Sequence, residues 1–330
     1  MPSRIAPAIG DRLTLSSILQ ILGGLVLLAA GGEFLVRGSV RLAERLGLSP
    51  LIIGIVLVGF GTSAPELVTS VTAALDGSPG IAIGNVVGSN ITNLLLVLGA
   101  AAIFGPLAID PRSFRRDGIA MAAATILLVV LVATADTIGR LAGATGLILL
   151  VAYLVFAARS ERSHQGIQAE APSGPPIAVL LIVPVAGLAA VLFGADLLVD
   201  GAGTIARALG VSEAVIGLSI VAIGTSLPEL ATATAAIIRR QPELAIGNVI
   251  GSCIFNVLGI LGITALIQPL AVPAEIAAYD IWVLLAATIV ACLLAITGWR
   301  VTRWEGVLLL SAFALYLTTL AVPSLRELLT

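Results

Sequence analysis

The sequence of 330 residues is poor in charge and contains no lysine. Charged residues make up 11% of the chain and hydrophobic residues 58%, whereas soluble globular domains carry about 25% charged residues. Because so few charges cannot cover a soluble surface, the composition excludes a soluble enzyme and predicts an integral membrane protein. The apolar runs also exclude a transmembrane β-barrel, since its strands alternate apolar and polar residues over about ten positions.

Histidine and cysteine are almost absent as well. The single histidine, His164, lies in a polar segment, and Cys253 and Cys292 lie in apolar runs. Imidazole and thiolate groups are the usual zinc ligands, so we expect no zinc site, no histidine-based catalysis and no disulfide. The 17 arginines form no polybasic patch, and no nucleic-acid partner is expected.

Long apolar segments dominate what is present. A transmembrane helix needs about 20 apolar residues, and ten segments meet that length, which predicts an all-α polytopic protein of the cell membrane, surrounded by lipid. The ten lie near residues 15–36, 50–75, 80–104, 118–135, 141–158, 177–200, 213–238, 243–268, 278–297 and 304–322.

The chain contains an internal repeat. Residues 33–99 align with 196–262 at a constant offset of 163, with 31 of 67 positions identical. The polar linker 159–176 divides the chain into two five-helix halves, 1–158 and 177–330. Since five is odd, the halves must be inverted in the membrane, a plan that places a transporter's binding site at the midplane between them.

The arginines predict the orientation. With the N-terminus outside, twelve of the 17 arginines fall in inner loops and five outside, as the excess of positive charge in cytoplasmic loops requires. We therefore expect both termini outside and the linker in the cytoplasm. Glu33 precedes Arg37 by four residues, which predicts a helix ion pair, whereas Asp196 and Asp200 have no cation close in sequence.

Two polar motifs interrupt the apolar spans. Residues 61–66 read GTSAPE and residues 224–229 read GTSLPE. A carboxylate at mid-membrane costs at least about 2.5–3.5 kcal/mol, so Glu66 and Glu229 need a function. Proline and glycine loosen the helix beside each carboxylate, which predicts a break that frees backbone carbonyls.

The next span of each half carries a polar stripe on one helical face. Hydroxyl, amide, carbonyl and carboxylate oxygens are hard donors that suit Ca²⁺ or Na⁺ and not transition metals. Two glutamates would also neutralise one Ca²⁺. The stripes consist of Asn85, Ser89 and Asn93 in the first half and Asn248, Ser252 and Asn256 in the second.

Together these motifs (residues 61–93 and 224–256) resemble the paired repeats of the sodium/calcium exchanger branch of the cation/calcium antiporter superfamily, in its prokaryotic form without a regulatory domain. The resemblance implies a central site between the broken second and seventh spans and the third and eighth spans. It implies alternating access, in which Ca²⁺ and Na⁺ compete for that site without any prosthetic group.

The resemblance also implies a role for each matching residue. Glu66 and Glu229 would be the shared carboxylates, with Ser63, Ser89, Ser226 and Ser252 as side-chain ligands. Thr62, Thr225, Gly59 and Ala222 would supply carbonyl oxygens. The potassium-dependent relatives carry aspartate at the position of Asn256, so Asn93 and Asn256 imply exchange that does not require potassium.

Other functions remain open at this stage. A proton-coupled Ca²⁺ or cation antiporter is the main alternative. A cation channel is a further one, although a channel is usually a ring of subunits, whereas one copy of this chain encloses its own site and a monomer should suffice. An intramembrane enzyme would use Glu66 and Glu229 as acid and base, but no nucleophile or cofactor motif accompanies them, so we expect no enzyme.

Overall fold

The chain is almost entirely helical in this computed structural model, which describes residues 5–164, 176–209 and 222–322. Among them, eight helices are long and apolar enough to cross a membrane, and the bent pair α2/α3 makes a ninth span. This confirms an all-helical membrane protein. The helices are α1 Ile5–Leu46, α2 Pro50–Thr62, α3 Ala64–Leu75, α4 Pro79–Phe104, α5 Pro111–Thr134, α6 Arg140–His164, α7 Ile177–Ala208, α8 Ala222–Thr225, α9 Leu227–Ile238, α10 Pro242–Ile267, α11 Ile276–Ile296 and α12 Arg303–Ala321.

The predicted seventh span is described only in part. Its residues 213–221 lie outside the described ranges, and α8 and α9 account for the rest. Residues 165–175 of the predicted linker also lie outside them. The linker's first residues are helical, because α6 continues to His164.

Several helices are longer than the spans predicted for them, and α1 and α7 exceed them most. Helix α1 continues to Leu46 rather than stopping at 36, and α7 continues to Ala208 rather than 200. The length of an apolar run indicates where the chain leaves the hydrocarbon, not where the helix ends. The helix can continue in water, because arginine is a good helix former. Helix α1 ends only at Gly47, whose φ of 62° is the left-handed conformation that terminates helices.

Four two-residue strands join the halves at two places. Strands β1 (Leu107–Ala108) and β4 (Arg300–Val301) pair antiparallel, and so do β2 (Thr137–Ile138) and β3 (Leu270–Ala271). Leu107 faces Val301 in the first pair, and Leu270 faces Ile138 in the second. Strand β3 is the repeat counterpart of β1, and β4 is the counterpart of β2. The two strand pairs are therefore the same contact, made twice with the roles of the halves exchanged.

Buried polar contacts repeat that exchange. The hydroxyls of Thr125 on α5 and Thr288 on α11 lie 3.3 Å apart, and the two residues are 163 positions apart in sequence. A residue that touches its own repeat counterpart lies where the two halves meet symmetrically. The central helices are α4 and α10, of which 78% is buried, whereas α1 and α7 are largely exposed on the outside of the bundle.

Helices α1 and α7 cross at glycines. A Cβ added to Gly24 would lie 2.6 Å from the carbonyl oxygen of Gly194, and one added to Gly31 would lie 2.8 Å from that of Gly187. Small residues let membrane helices approach backbone to backbone. The two glycine contacts are again related by the repeat offset.

This crossing predicts different effects for two neighbouring glycines. Gly24→Ala forces α1 and α7 apart and should destabilise the protein by about 1–3 kcal/mol, the usual cost of overpacking. Gly23→Ala is the matched control, because its Cβ would meet no atom within 4 Å. Thermal unfolding of the two variants in detergent tests this, and equal melting temperatures would contradict it.

Candidate ion-binding site

Both halves break their helix at the predicted motif. In the first half α2 ends at Thr62 and α3 begins at Ala64, with a bend of 43° between them. In the second half α8 ends at Thr225, Ser226 forms the turn, and α9 begins at Leu227. The proline of each motif is the second residue of the new helix, a position where its missing N–H costs nothing. The predicted breaks are confirmed.

Glu66 and Glu229 lie in the first turns of α3 and α9 and are fully buried. A helix N-terminus favours negative charge, and each carboxylate lies at such an end. Oε1 of Glu229 accepts a hydrogen bond of 3.0 Å from the Ser63 hydroxyl, which reaches across from the other half. The remaining three carboxylate oxygens have no hydrogen-bond partner among the described residues.

Further buried polar atoms of the predicted site lack partners within the described ranges. They are the Ser226 hydroxyl, both amide atoms of Asn93 and the amide oxygen of Asn256. An unpaired buried polar group costs about 1–3 kcal/mol. With the free carboxylate oxygens this makes six oxygens, and Ca²⁺ takes 6–8 oxygen ligands. The donor set therefore suits a hard cation.

The helix contacts explain how residues distant in sequence share this site. Helix α9, which carries Glu229, packs against the α4 segment that begins at Asn93. Helix α3, which carries Glu66, packs against the α10 segment that begins at Phe255 and contains Asn256. Each carboxylate-bearing helix thus packs against the polar helix of the opposite half.

Asn85 and Asn248 hold the backbone of the carboxylates. The Asn85 amide donates to the carbonyl of Glu66 at 3.0 Å, and the Asn248 amide donates to the carbonyl of Glu229 at 3.1 Å. Asn248 also accepts a 3.2 Å bond from the Thr62 hydroxyl. Both asparagines therefore act as interhelical contacts, and their equal placement in the two stripes is the sequence signal for that role.

Other predicted ligands pair with one another. The Ser252 hydroxyl donates to the carbonyl oxygen of Gly59 at 3.1 Å. Gly59 permits this approach, because a Cβ there would lie 2.9 Å from the backbone nitrogen of Ser252. Ser89 is buried on α4, and Ala222 is the first residue of α8.

Asn90 joins the two halves by hydrogen bonds that the sequence did not predict. Its amide oxygen accepts from Asn256 at 3.0 Å, and its amide nitrogen donates to the carbonyl of Cys253 at 3.2 Å. Because Cys253 is the repeat counterpart of Asn90, the repeat itself gave no sign of a shared polar role. The one available signal is a third asparagine beside Ser89.

Local π-helix is the second feature that the sequence did not reveal. Residues Gly54–Gly59, Asn93–Val97 and Phe255–Ile260 form π-helical segments, and each contains a predicted site residue. Such segments widen a helix locally and are frequent at functional sites. They change the direction in which the side chains of Asn93 and Asn256 leave their helices.

The fold and the buried oxygen cluster define a helical membrane transporter for cations. The sodium/calcium exchanger protein family matches residues 16–160 and 179–322, and the chain belongs to this family, whose members are transporters rather than enzymes. The chain is 39% identical over 312 residues to the putative antiporter CaxA of Alkalimonas amylolytica, covering 92% of this chain and 98% of that protein.

Two further comparisons agree. The sodium/calcium exchanger MaX1 of Methanosarcina acetivorans is 31% identical over 343 residues, covering 92% of this chain and 98% of that one. The solved structure of the sodium-calcium exchanger NCX_Mj superposes with a TM-score of 0.83 at 34% identity, covering 93% of this chain and 99% of its own.

The two carboxylates predict the effect of removing one charge. Glu66→Gln or Glu229→Gln keeps the shape of the side chain but removes half of the negative charge facing the cation. Ca²⁺ affinity should fall at least about 100-fold, or roughly 3 kcal/mol. Isothermal titration of purified variants measures this, with Glu44→Gln, an exposed acid on α1, as control. Unchanged affinity in either variant would remove that residue from the site.

Proposed function

We propose that this protein exchanges Ca²⁺ for Na⁺ by alternating access, without a requirement for potassium. One observation carries the proposal: the described residues leave six buried oxygens around Glu66 and Glu229 without hydrogen-bond partners. Leaving buried oxygens unpaired is costly, and a bound hard cation would satisfy them. The family membership and the printed names of the relatives support Ca²⁺ and Na⁺ as the two ions.

Charge neutralisation supplies the coupling. Two glutamates balance one Ca²⁺ or a set of Na⁺ ions, so an occupied cluster carries little net charge through the low-dielectric core. An empty cluster keeps two buried negative charges, which are expensive inside a membrane. Only the occupied protein therefore changes its access, and this makes the flow of one ion depend on the other. The proposed ligands remain those of the sequence, with Glu66 and Glu229 at the centre.

The proposed architecture has ten membrane spans in two inverted five-helix halves. The eight long helices and the bent pair α2/α3 account for nine spans. Helices α8 and α9 would complete the tenth, together with the preceding residues that lie outside the described ranges. The repeated strand pairs and the Thr125–Thr288 contact support the inversion. The arginine distribution supports both termini outside the cell membrane.

Asn93 and Asn256 support independence from potassium. Both positions carry neutral amides and both side chains are fully buried, so the cluster holds only two negative charges. A third carboxylate at Asn256 would call for an additional monovalent cation. Its amide nitrogen instead donates to Asn90, a bond that an aspartate at this position could not donate.

A flux assay tests the proposal. Proteoliposomes loaded with Na⁺ and diluted into Na⁺-free buffer should accumulate radioactive Ca²⁺, and replacing internal Na⁺ by choline should abolish this uptake. Replacing all K⁺ should change nothing, and a protonophore should not reduce the rate. Liposomes containing Glu66→Gln protein are the control for leak.

The outcomes separate the candidates. Uptake that follows a pH gradient and ignores Na⁺ would replace sodium coupling by proton coupling. Loss of uptake without K⁺ would contradict the role given to Asn93 and Asn256. Unitary currents without exchange would indicate a channel.

A further inference from the structure

Glu33 on α1 forms ion pairs with two arginines. One is Arg37, a turn later on the same helix, and the other is Arg239, which directly follows the last residue of α9. The Nε of Arg239 also donates to the Glu33 carboxylate. Helix α9 carries Glu229 in its first turn, so these bonds fasten α1 to the far end of a helix that holds a site carboxylate. The sequence predicts the Arg37 pair but not the Arg239 pair.

The packing beside Glu33 is tight. A Cβ added to the neighbouring Gly32 would lie 3.2 Å from the carbonyl oxygen of Ala231 and 3.3 Å from the Cβ of Ala235, both on α9. The Glu33 side chain is only 26% exposed between the two helices. Helix α1 therefore packs against α9 at Ala231 and Ala235 and is joined to its end by the ion pair.

The repeat places different charges at the opposite membrane face. The counterparts of Glu33, Arg37 and Arg239 are Asp196, Asp200 and Asp76, three residues of one sign. All three are exposed. Val68 on α3, the counterpart of Ala231, is 66% exposed. Closing α7 on α3 as α1 closes on α9 would thus bring three negative charges together without an arginine.

We infer that Glu33 is a positioning residue for exchange: its bond to Arg239 holds α1 against α9 and closes the ion site toward the Arg239 face. The inference rests on the proposed function. Each transport cycle has to break this bond once, whereas the counterparts at the Asp76 face, all acidic, cannot form an equivalent ion pair with one another. The two access states are therefore unequal in free energy, and the state open toward the Asp76 face is favoured.

This difference in free energy should affect the Ca²⁺ affinity measured at one face of the membrane and not at the other. When one access state dominates, a small change in the free-energy difference barely alters the population of that state but multiplies the population of the minor state. The apparent affinity measured at one face scales with the population of the state that is open to that face. Loss of the bond should therefore tighten apparent Ca²⁺ affinity from the Arg239 face by about 3–10-fold and leave it nearly unchanged from the Asp76 face. A merely structural role would weaken both sides alike.

Ca²⁺ uptake into right-side-out and inverted membrane vesicles from expressing cells tests the inference, since each preparation exposes one face. Glu33→Gln and Arg239→Gln should each lower the half-saturating Ca²⁺ concentration in one preparation only. The double variant should show no further shift, because both changes remove the same bond. Glu44→Gln on the same helix is the control and should match the wild type.

Each result decides between outcomes. A wild-type protein without sodium-driven uptake contradicts the proposed function itself. An active wild type with unchanged variants, equal shifts in both preparations, or additive shifts in the double variant overturns the role of Glu33 alone. If Glu33→Gln does not fold, Arg239→Gln and Arg239→Lys decide, since Arg239 is 38% exposed. Only the glutamine variant should then shift.

Discussion

The rest of this structure depends on two carboxylates that are buried in an apolar helix bundle. No arginine lies on the helices that carry Glu66 and Glu229, and both side chains are fully buried. The remaining features supply what these groups need: helix breaks place each at a positive helix end, Asn85 and Asn248 fix their backbones, and the π-helical segments of α4 and α10 carry neutral amides nearby. A bound hard cation would complete this donor set.

Inverted halves would make both directions of access identical if every contact were duplicated. The strand pairs, the threonine contact and the glycine crossings are duplicated. The polar site is duplicated only in part: Asn85 and Asn248 make equivalent bonds, but Ser63 donates to Glu229, whereas Ser226, its counterpart, has no partner among the described residues. The framework contacts thus follow the symmetry, whereas the Ser63–Glu229 bond and the Glu33–Arg239 pair depart from it.

The sequence predicted the membrane class, the helix breaks and the polar stripes because each rests on local chemistry: apolar length, proline placement and four-residue spacing. The sequence did not predict which side chains pair across the bundle. Nothing near Glu33 in sequence points to Arg239, and Asn90 lacked a polar counterpart in the second half. No simple residue pattern announces the π-helical segments at Asn93–Val97 and Phe255–Ile260. The role of each site residue as a ligand stays a prediction.

The two strand pairs also bear on the order in which the chain assembles. Each pair takes one strand from each half, and the pairs are nested, with β2–β3 enclosed in sequence by β1–β4. During synthesis the first half therefore waits with two unpaired strand edges, and β3 emerges before β4. The inner ribbon can close first and the outer one last. The strand edges beside α5 and α6 are therefore paired only by residues of the second half, and the fold of the first half is completed by the second.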